Sequence, residues 1–196
     1  MAINRFPFRT TVIAVMILIA GGAGYYLLYD GFLTEGPSDF KEIPNDFSHR
    51  SDLAQKKKKT VYLYFTDEKN SHLMSEERIL LVTDDPLEMG RMIIKELIQG
   101  PNGNLVRTIP VGTALNAIYI SKEGTAFVDF SDMIRENHPG GSQTELLTVY
   151  SIVNSITLNI NEVERVKILI EGRESQTLAG HIDLTSPLSA DMILVR

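Results

Sequence analysis

Apolar and polar positions divide the chain into an unbroken apolar run, a patternless stretch, and a region where periods of two and of about 3.6 residues alternate. In that last region, "TVYLYFTD" alternates Val61, Leu63 and Phe65 with Tyr62 and Tyr64, which predicts a strand over Thr60–Asp67. "LMSEERILLV" predicts a second strand over Leu73–Val82, weakened by Glu76 and Glu77 at its middle. "DDPLEMGRMIIKELIQG" switches to the helical period, with Leu87, Gly90, Ile94 and Leu97 on one face, widened by Ile93 and Ile98. Asp84 or Asp85 caps its start, Pro86 suits the first turn, and Gly100 with Pro101 stops it.

"ALNAIYIS" and "TAFVDFS" are strands joined by the short "KEG", and so form an antiparallel hairpin. A second helix is expected over Gln143–Leu158, with an apolar stripe of Leu146, Leu147, Tyr150, Val153 and Ile156. "ERVKILIEG" alternates Val166, Ile168 and Ile170 as a strand, while "QTLAGHIDL" and the last residues each offer one more short strand. The order predicts an α+β fold: two helices packed on one face of a mixed, largely antiparallel β-sheet, each helix burying a single stripe.

The apolar run "TTVIAVMILIAGGAGYYLLY" (10–29) carries no charge. About 20 residues at 1.5 Å each span a hydrocarbon core of roughly 30 Å. Arg5 and Arg9 precede it, which places residues 1–9 in the cytoplasm and Asp30 onward outside. Lys56–Lys59 begin about 27 residues beyond the run, outside the window in which charge orients a helix. The rival reading is a cleaved signal peptide, with Ala20, Gly21 and Gly22 at the cleavage site, but "YYLLY" continues the run past it. Both readings export the remaining residues: a flexible linker over 30–59, rich in Gly, Pro, Ser and Asn, and a single domain over 60–196. The expected location is the cytoplasmic (inner) membrane, single-pass, with the domain extracytoplasmic.

A formal net charge of −6 argues against nucleic acid as a partner. With no cysteine there is no disulfide frame, thiolate metal site or thiol nucleophile. The four histidines, His49, His72, His138 and His181, show no metal-binding spacing, and no metal or cofactor is expected. "GPNGN" lacks the phosphate-binding frame and follows a helix instead of preceding one. The lysine run reads as a solvated segment ahead of the first strand, or as a contact for anionic polymer or lipid headgroups.

Catalytic-looking residues gather in "VDFSDMIRENHPGGSQTE" (128–145) and in "LAGHIDL" around His181. Neither Ser131 nor Ser142 has the flanking glycines of a nucleophile elbow. Ser142 and Glu145 instead match a capping box ahead of the second helix, with Gly140 and Gly141 turning the chain into it. Glu136 and His138 are an acid–base candidate pair in a stretch where solvated side chains are ordinary. Asp129 and Asp132 could bind a metal, although for Asp129, inside an apolar strand, a hydrogen bond to a turn backbone is the simpler reading. His181, flanked by apolar positions, is expected to be a satisfied, half-buried side chain in preference to a ligand or base. No residue is assigned a catalytic, cofactor-binding or metal-binding role.

Taken in order, "VYLYFTD", "EERIL", "ELIQGP", "IPVGTALNAIYI", "AFVDFSDMI", "GGSQTELLTVYSIVNSI", "VKILIEG" and "TLAGHIDL" resemble the GerMN domain of sporulation and germination proteins over about Thr60–Pro187. The resemblance implies a small α/β module, similar to the ring-building motifs of envelope assemblies, and brings no catalytic residues with it. It also implies a departure: related proteins often carry two tandem domains behind a lipid-bearing cysteine, whereas this chain has one domain and no cysteine. Three functions stand as expectations. The first is a non-enzymatic membrane-anchored module with protein partners or self-association in the envelope. The second is a peptidoglycan or wall-polysaccharide binder using Tyr62, Tyr64 and Tyr150. The third is an envelope hydrolase using Ser131 or Ser142 with His138 or His181.

Overall fold

The structure, a computed structural model, describes residues 57–82 and 84–196. The expected transmembrane run over 10–29 and the linker before Lys57 lie outside the described residues. Among the described residues, no helix is long and apolar enough to cross a membrane.

The first strand, β1 (Lys57–Thr66), starts three residues before the expected Thr60, so Lys57, Lys58 and Lys59 belong to the strand. It pairs antiparallel with β2 (Leu73–Val82) in an unbroken register from Lys57↔Val82 to Thr66↔Leu73. Asp67 ties the turn by accepting from the Ser71 N–H and hydroxyl. Helix α1 (Pro86–Gln99) is capped by Asp85, whose carboxylate accepts from the Leu87 N–H at 3.0 Å. It ends at Gly100, whose φ of 92° suits glycine. Arginines from elsewhere in the chain take up its last carbonyls. Arg78, buried on β2, donates to the Glu96 and Gly100 carbonyls, and Arg107 donates to those of Ile98 and Gln99.

β3 (Leu115–Ile120) and β4 (Thr125–Phe130) form the expected antiparallel hairpin. One helical turn, α2 (Met133–Glu136), and helix α3 (Ser142–Thr157) carry the chain to β5 (Arg165–Ile170), which pairs parallel with β4. A two-residue loop, Glu171–Gly172, with both φ values positive, turns β5 into the short β6 (Arg173–Glu174). "QTLAGHIDL" forms no strand: among the described residues it runs as a loop of bends. The tail touches the sheets through isolated bridges, Leu188 to Val166 and Val195 to Leu73.

Two features depart from the expected layout. There are two sheets, not one: the β1–β2 hairpin and the four-stranded β3–β4–β5–β6. In addition, α3 does not bury a single stripe. Leu147, Val149, Ile152, Val153 and Ile156 are buried together with Glu145, Thr148, Ser151, Asn154 and Ser155, so the helix is enclosed nearly all round.

Both departures share one cause. The outer edge of β1 is occupied by side chains of α3 and its C-terminal extension. The Asn159 amide accepts from the Tyr62 N–H at 2.9 Å and donates to its carbonyl at 2.7 Å. The Ser155 hydroxyl accepts from the Tyr64 N–H at 3.0 Å, and the Ser151 hydroxyl donates to the Tyr64 carbonyl at 2.7 Å. Thr66 completes the edge through its backbone pairing with Val106. Ser151 and Ser155 take the two backbone groups of Tyr64, and Asn159, about one turn on, takes those of Tyr62, because about 6 Å of helix rise equals two strand residues. Polar side chains thus stand where another strand would. One continuous core runs through Phe65, Ile93, Leu97, Phe130, Ile152 and Ile168. Gly90 lets α1 approach the four-stranded sheet closely: a Cβ there would lie 2.8 Å from Ile118 Cδ1.

Candidate functional site

The residues that looked catalytic lie where β4 hands over to α3. At the end of β4, Asp129 Oδ1 accepts from the Gly172 N–H at 2.8 Å, the expected bond to a turn backbone. Ser131 closes the mouth of the β3–β4 hairpin, its hydroxyl accepting from the Ala114 N–H at 2.9 Å and its own N–H donating to the Ala114 carbonyl. Asp132 donates its backbone N–H to Glu171, and its carboxylate lies 3.5 Å from the Arg135 guanidinium. Glu136 is exposed at the end of α2.

The capping box does not form. The N-cap is Gly141, with φ 86° and no side-chain cap bond, and Ser142 is exposed. The Glu145 N–H bonds the Gly141 carbonyl at 3.0 Å instead. The Glu145 carboxylate, wholly shielded from solvent, turns inward to the loop around residues 178–182. Oε1 accepts from the N–H groups of Leu178 (2.8 Å) and Ala179 (2.7 Å), and Oε2 from the His181 N–H (2.8 Å). These donors have no strand to pair with, and a carboxylate supplies the acceptors that a buried loop otherwise lacks. Burial pushes the Glu145 carboxyl up. The N–H groups of Ala179, Ile182 and His181 and the His181 ring outweigh that and hold it below the ordinary range.

The two histidines face different groups. His181 Nδ1 lies 3.0 Å from Glu145 Oε2. A carboxylate only accepts, so Nδ1 carries the hydrogen and Nε2 is the open position. The side chain is 46% exposed, which puts His181 at the rim of the joint. His138 Nδ1 accepts from the Gly140 N–H at 3.0 Å, so its hydrogen sits on Nε2 and is donated to the Thr148 hydroxyl at 3.2 Å. That hydroxyl passes the chain on to the Thr108 carbonyl at 2.8 Å. Burial depresses the His138 pKa, and the nearby Glu145 charge partly offsets the shift.

Neither Ser131 nor Ser142 is a hydrogen-bond partner of either histidine, so the expected serine–histidine dyads are not brought together. His72 lies in the β1–β2 turn, 3.9 Å from Asp67, and His49 is outside the described residues. Among the described residues, no three His, Cys, Asp or Glu side chains converge as a metal site. The tyrosine platform does not form either. Tyr64 is buried and packs with Leu73, Leu147 and Tyr150, leaving only Tyr62 of the three exposed, at 46%. The residues that organise the region went unnoticed in the sequence: Thr148, Ser151, Asn154, Ser155 and Asn159. Their signal was the repeat of small polar side chains at helical spacing inside an apolar run. Asn154 clamps the tail, donating to the Asp191 carbonyl and accepting from its N–H, both at 3.0 Å.

The family model described as Germane, sporulation and spore germination, matches residues 60–176. No curated protein matches the chain. Two solved structures from Bacillus subtilis share the fold. One is the first GerMN domain of the sporulation protein GerM, at 24% identity and a TM-score of 0.55, covering 67% of this chain and 97% of that one. The other holds the tandem GerMN domains of the same protein, at 23% identity and a TM-score of 0.52, and covers 68% of this chain but 46% of that one.

Proposed function

The chain belongs to the Germane family of sporulation and spore germination, and on that premise we propose that it is a non-enzymatic, membrane-anchored module that joins proteins into an assembly in the bacterial cell envelope. Residues 10–29 hold it in the cytoplasmic membrane, N-terminus inside, and 30–59 tether the domain outside. The domain is of the kind that packs side by side, as ring-building motifs do. One observation carries the reading: the enclosed polar side chains of the joint are committed to groups of the chain itself. Glu145 binds three loop N–H groups, His138 is held by Gly140 and Thr148, and Ser151, Ser155 and Asn159 cover β1. That is the arrangement of a rigid scaffold whose contacts with others lie on its surface. Lysine-reactive crosslinking of the full chain in its native cells should capture a discrete higher-mass species, and a chain that stays uncrosslinked overturns the reading.

A second reading, a binder of wall polysaccharide, has one observation in its favour. Tyr119, 61% exposed, pairs with Phe127 at 6.2 Å between ring centroids on the four-stranded sheet. Retention on purified wall material that Tyr119→Ala abolishes would support it, and retention unchanged by that substitution would exclude this surface.

A further inference from the structure

We infer that the free edge of β2 pairs antiparallel with the same edge of a second copy of this chain, about a two-fold axis through Ile79. The register of the hairpin decides which groups are free. The backbone groups of Tyr62 and Tyr64 point away from β2 toward α3, so those of their partners Glu77 and Ser75 point away from β1. Ile79 and Leu81, opposite Thr60 and Lys58, follow the same alternation. Leu73 shows that this edge accepts strands: its N–H bonds the Leu194 carbonyl at 2.7 Å, and its carbonyl takes the Arg196 N–H at 2.9 Å. Beyond Leu73 the tail ends its pairing. Among the described residues, nothing then reaches the outward backbone groups of Ser75, Glu77, Ile79 and Leu81.

This edge carries none of the usual protection. It has no proline, no bulge and no outward lysine, and its outer face exposes Ile79 at 66% and Leu81 at 52%. The side chains choose the occupant. A two-fold axis through Ile79 sets Ile79 against its own copy and Glu77 beside Leu81 of the other chain. Lys58 stands next to that Leu81 in the hairpin register. Of the three described lysines at the start of β1, Lys58 has no bond among the described residues, since Lys57 pairs with Asp84 and Lys59 bonds the Asn159 carbonyl. The exposed Glu77 of each copy thus meets the free Lys58 of the other, once on each side of an apolar centre. An axis through Arg78 would instead set Glu77 against Ile79. Three outward-facing paired residues a side, Glu77, Ile79 and Leu81, fall well short of the roughly 1,600 Å² of a standard interface. The inference therefore rests on the anchored-assembly reading, in which confinement to a membrane raises the local concentration.

The absence of native cysteine makes the test clean. Directly paired residues of this kind stand about 5.5 Å apart at Cα, within disulfide range. Full-length Ile79→Cys, oxidised mildly in its own membranes, should form a disulfide-linked homodimer at least roughly tenfold faster than Glu77→Cys or Tyr119→Cys. In this register the two copies of position 77 are roughly 13 Å apart. Ile79→Lys should abolish capture of the homodimer by lysine-reactive reagent. Equal rates at positions 79, 77 and 119 overturn the pairing. So does a monomer whose edge is covered by its own residues before Lys57, or attachment of the thiol at position 79 to a different protein. If lysine-reactive crosslinking still captures a partner in that case, the assembly reading stands and this contact falls.

Discussion

Helix α3 and strand β2 flank β1 and treat their polar groups in opposite ways. The helix carries Thr148, Ser151, Asn154 and Ser155, yet all four are buried because each meets a backbone group. The strand presents Ile79 and Leu81 outward and both are exposed, and beyond Leu73 its outer backbone edge has no partner among the described residues. In this domain burial follows hydrogen-bond satisfaction as much as apolarity. The helix is a closed boundary and the strand an open one.

The closed side should be the fragile one. Glu145→Ala removes a fully buried carboxylate and strands the N–H groups of Leu178, Ala179 and His181. Loss of about 3–5 kcal/mol is expected in urea denaturation, together with fast amide exchange across 178–182. Glu145→Gln keeps acceptors on one side only and should fall between the variant and the parent. An alanine variant as stable as the parent would mean that the loop holds itself and that the helix is not its organiser. Asn159→Leu tests the edge itself. It deletes both bonds to Tyr62 and leaves that N–H and carbonyl against an apolar side chain. The expected cost is about 2–3 kcal/mol by the same measurement.

Acid should loosen the closed side in two stages. The folded pKa is depressed for both groups: by burial for His138, and for Glu145 by its donors acting against burial. The folded state therefore binds fewer protons than the unfolded chain between the two pKa values of each group. The stability each contributes is whole above its ordinary value, 6.5 for histidine and 4.5 for glutamate, and is lost as pH falls through the folded value. Denaturation midpoints measured from pH 8 to 3 should decline first below about 6.5 and again below about 4.5. His138→Gln should erase the first decline and leave the second. A profile flat down to pH 5 in the parent would show that His138 is not held neutral by the fold.

Much of this was legible in the sequence, within limits set by distance along the chain. Strand alternation around Val61–Phe65 and Val166–Ile170, and the stripe of Ile93, Ile94 and Leu97, depend on neighbours a few residues away, and those elements stand within one to three residues of where the pattern puts them. The Ser142–Glu145 spacing had the letters of a capping box, but its glutamate answers to N–H groups at Leu178, Ala179 and His181, which no local pattern reveals. Likewise, the repeat of Ser151, Ser155 and Asn159 was visible, but its meaning depends on an edge of β1 nearly a hundred residues earlier. That same contact divides the strands into two sheets, which is why a single sheet was expected. Tyr62 and Tyr64 alternate identically in sequence. They part company only because α3 and the tail cover the second and leave the first open.

The smallest expected effect falls on the open side and bears hardest on the comparison. Ile79→Lys places a charge on a strand position already 66% exposed and outside the buried core. Strand propensity drops slightly, and the change in stability should stay within about 0.5 kcal/mol. The same kind of change on the closed side, Ser155→Lys, forces a charge into a fully buried position that now accepts from Tyr64, and should prevent the native fold. Both substitutions put a lysine beside the same hairpin, and what separates them is whether that side is already occupied. If Ile79→Lys proved as damaging as Asn159→Leu, the β2 edge would be covered within the single chain. The contrast between a closed and an open boundary would then disappear, and with it the surface on which a second copy pairs.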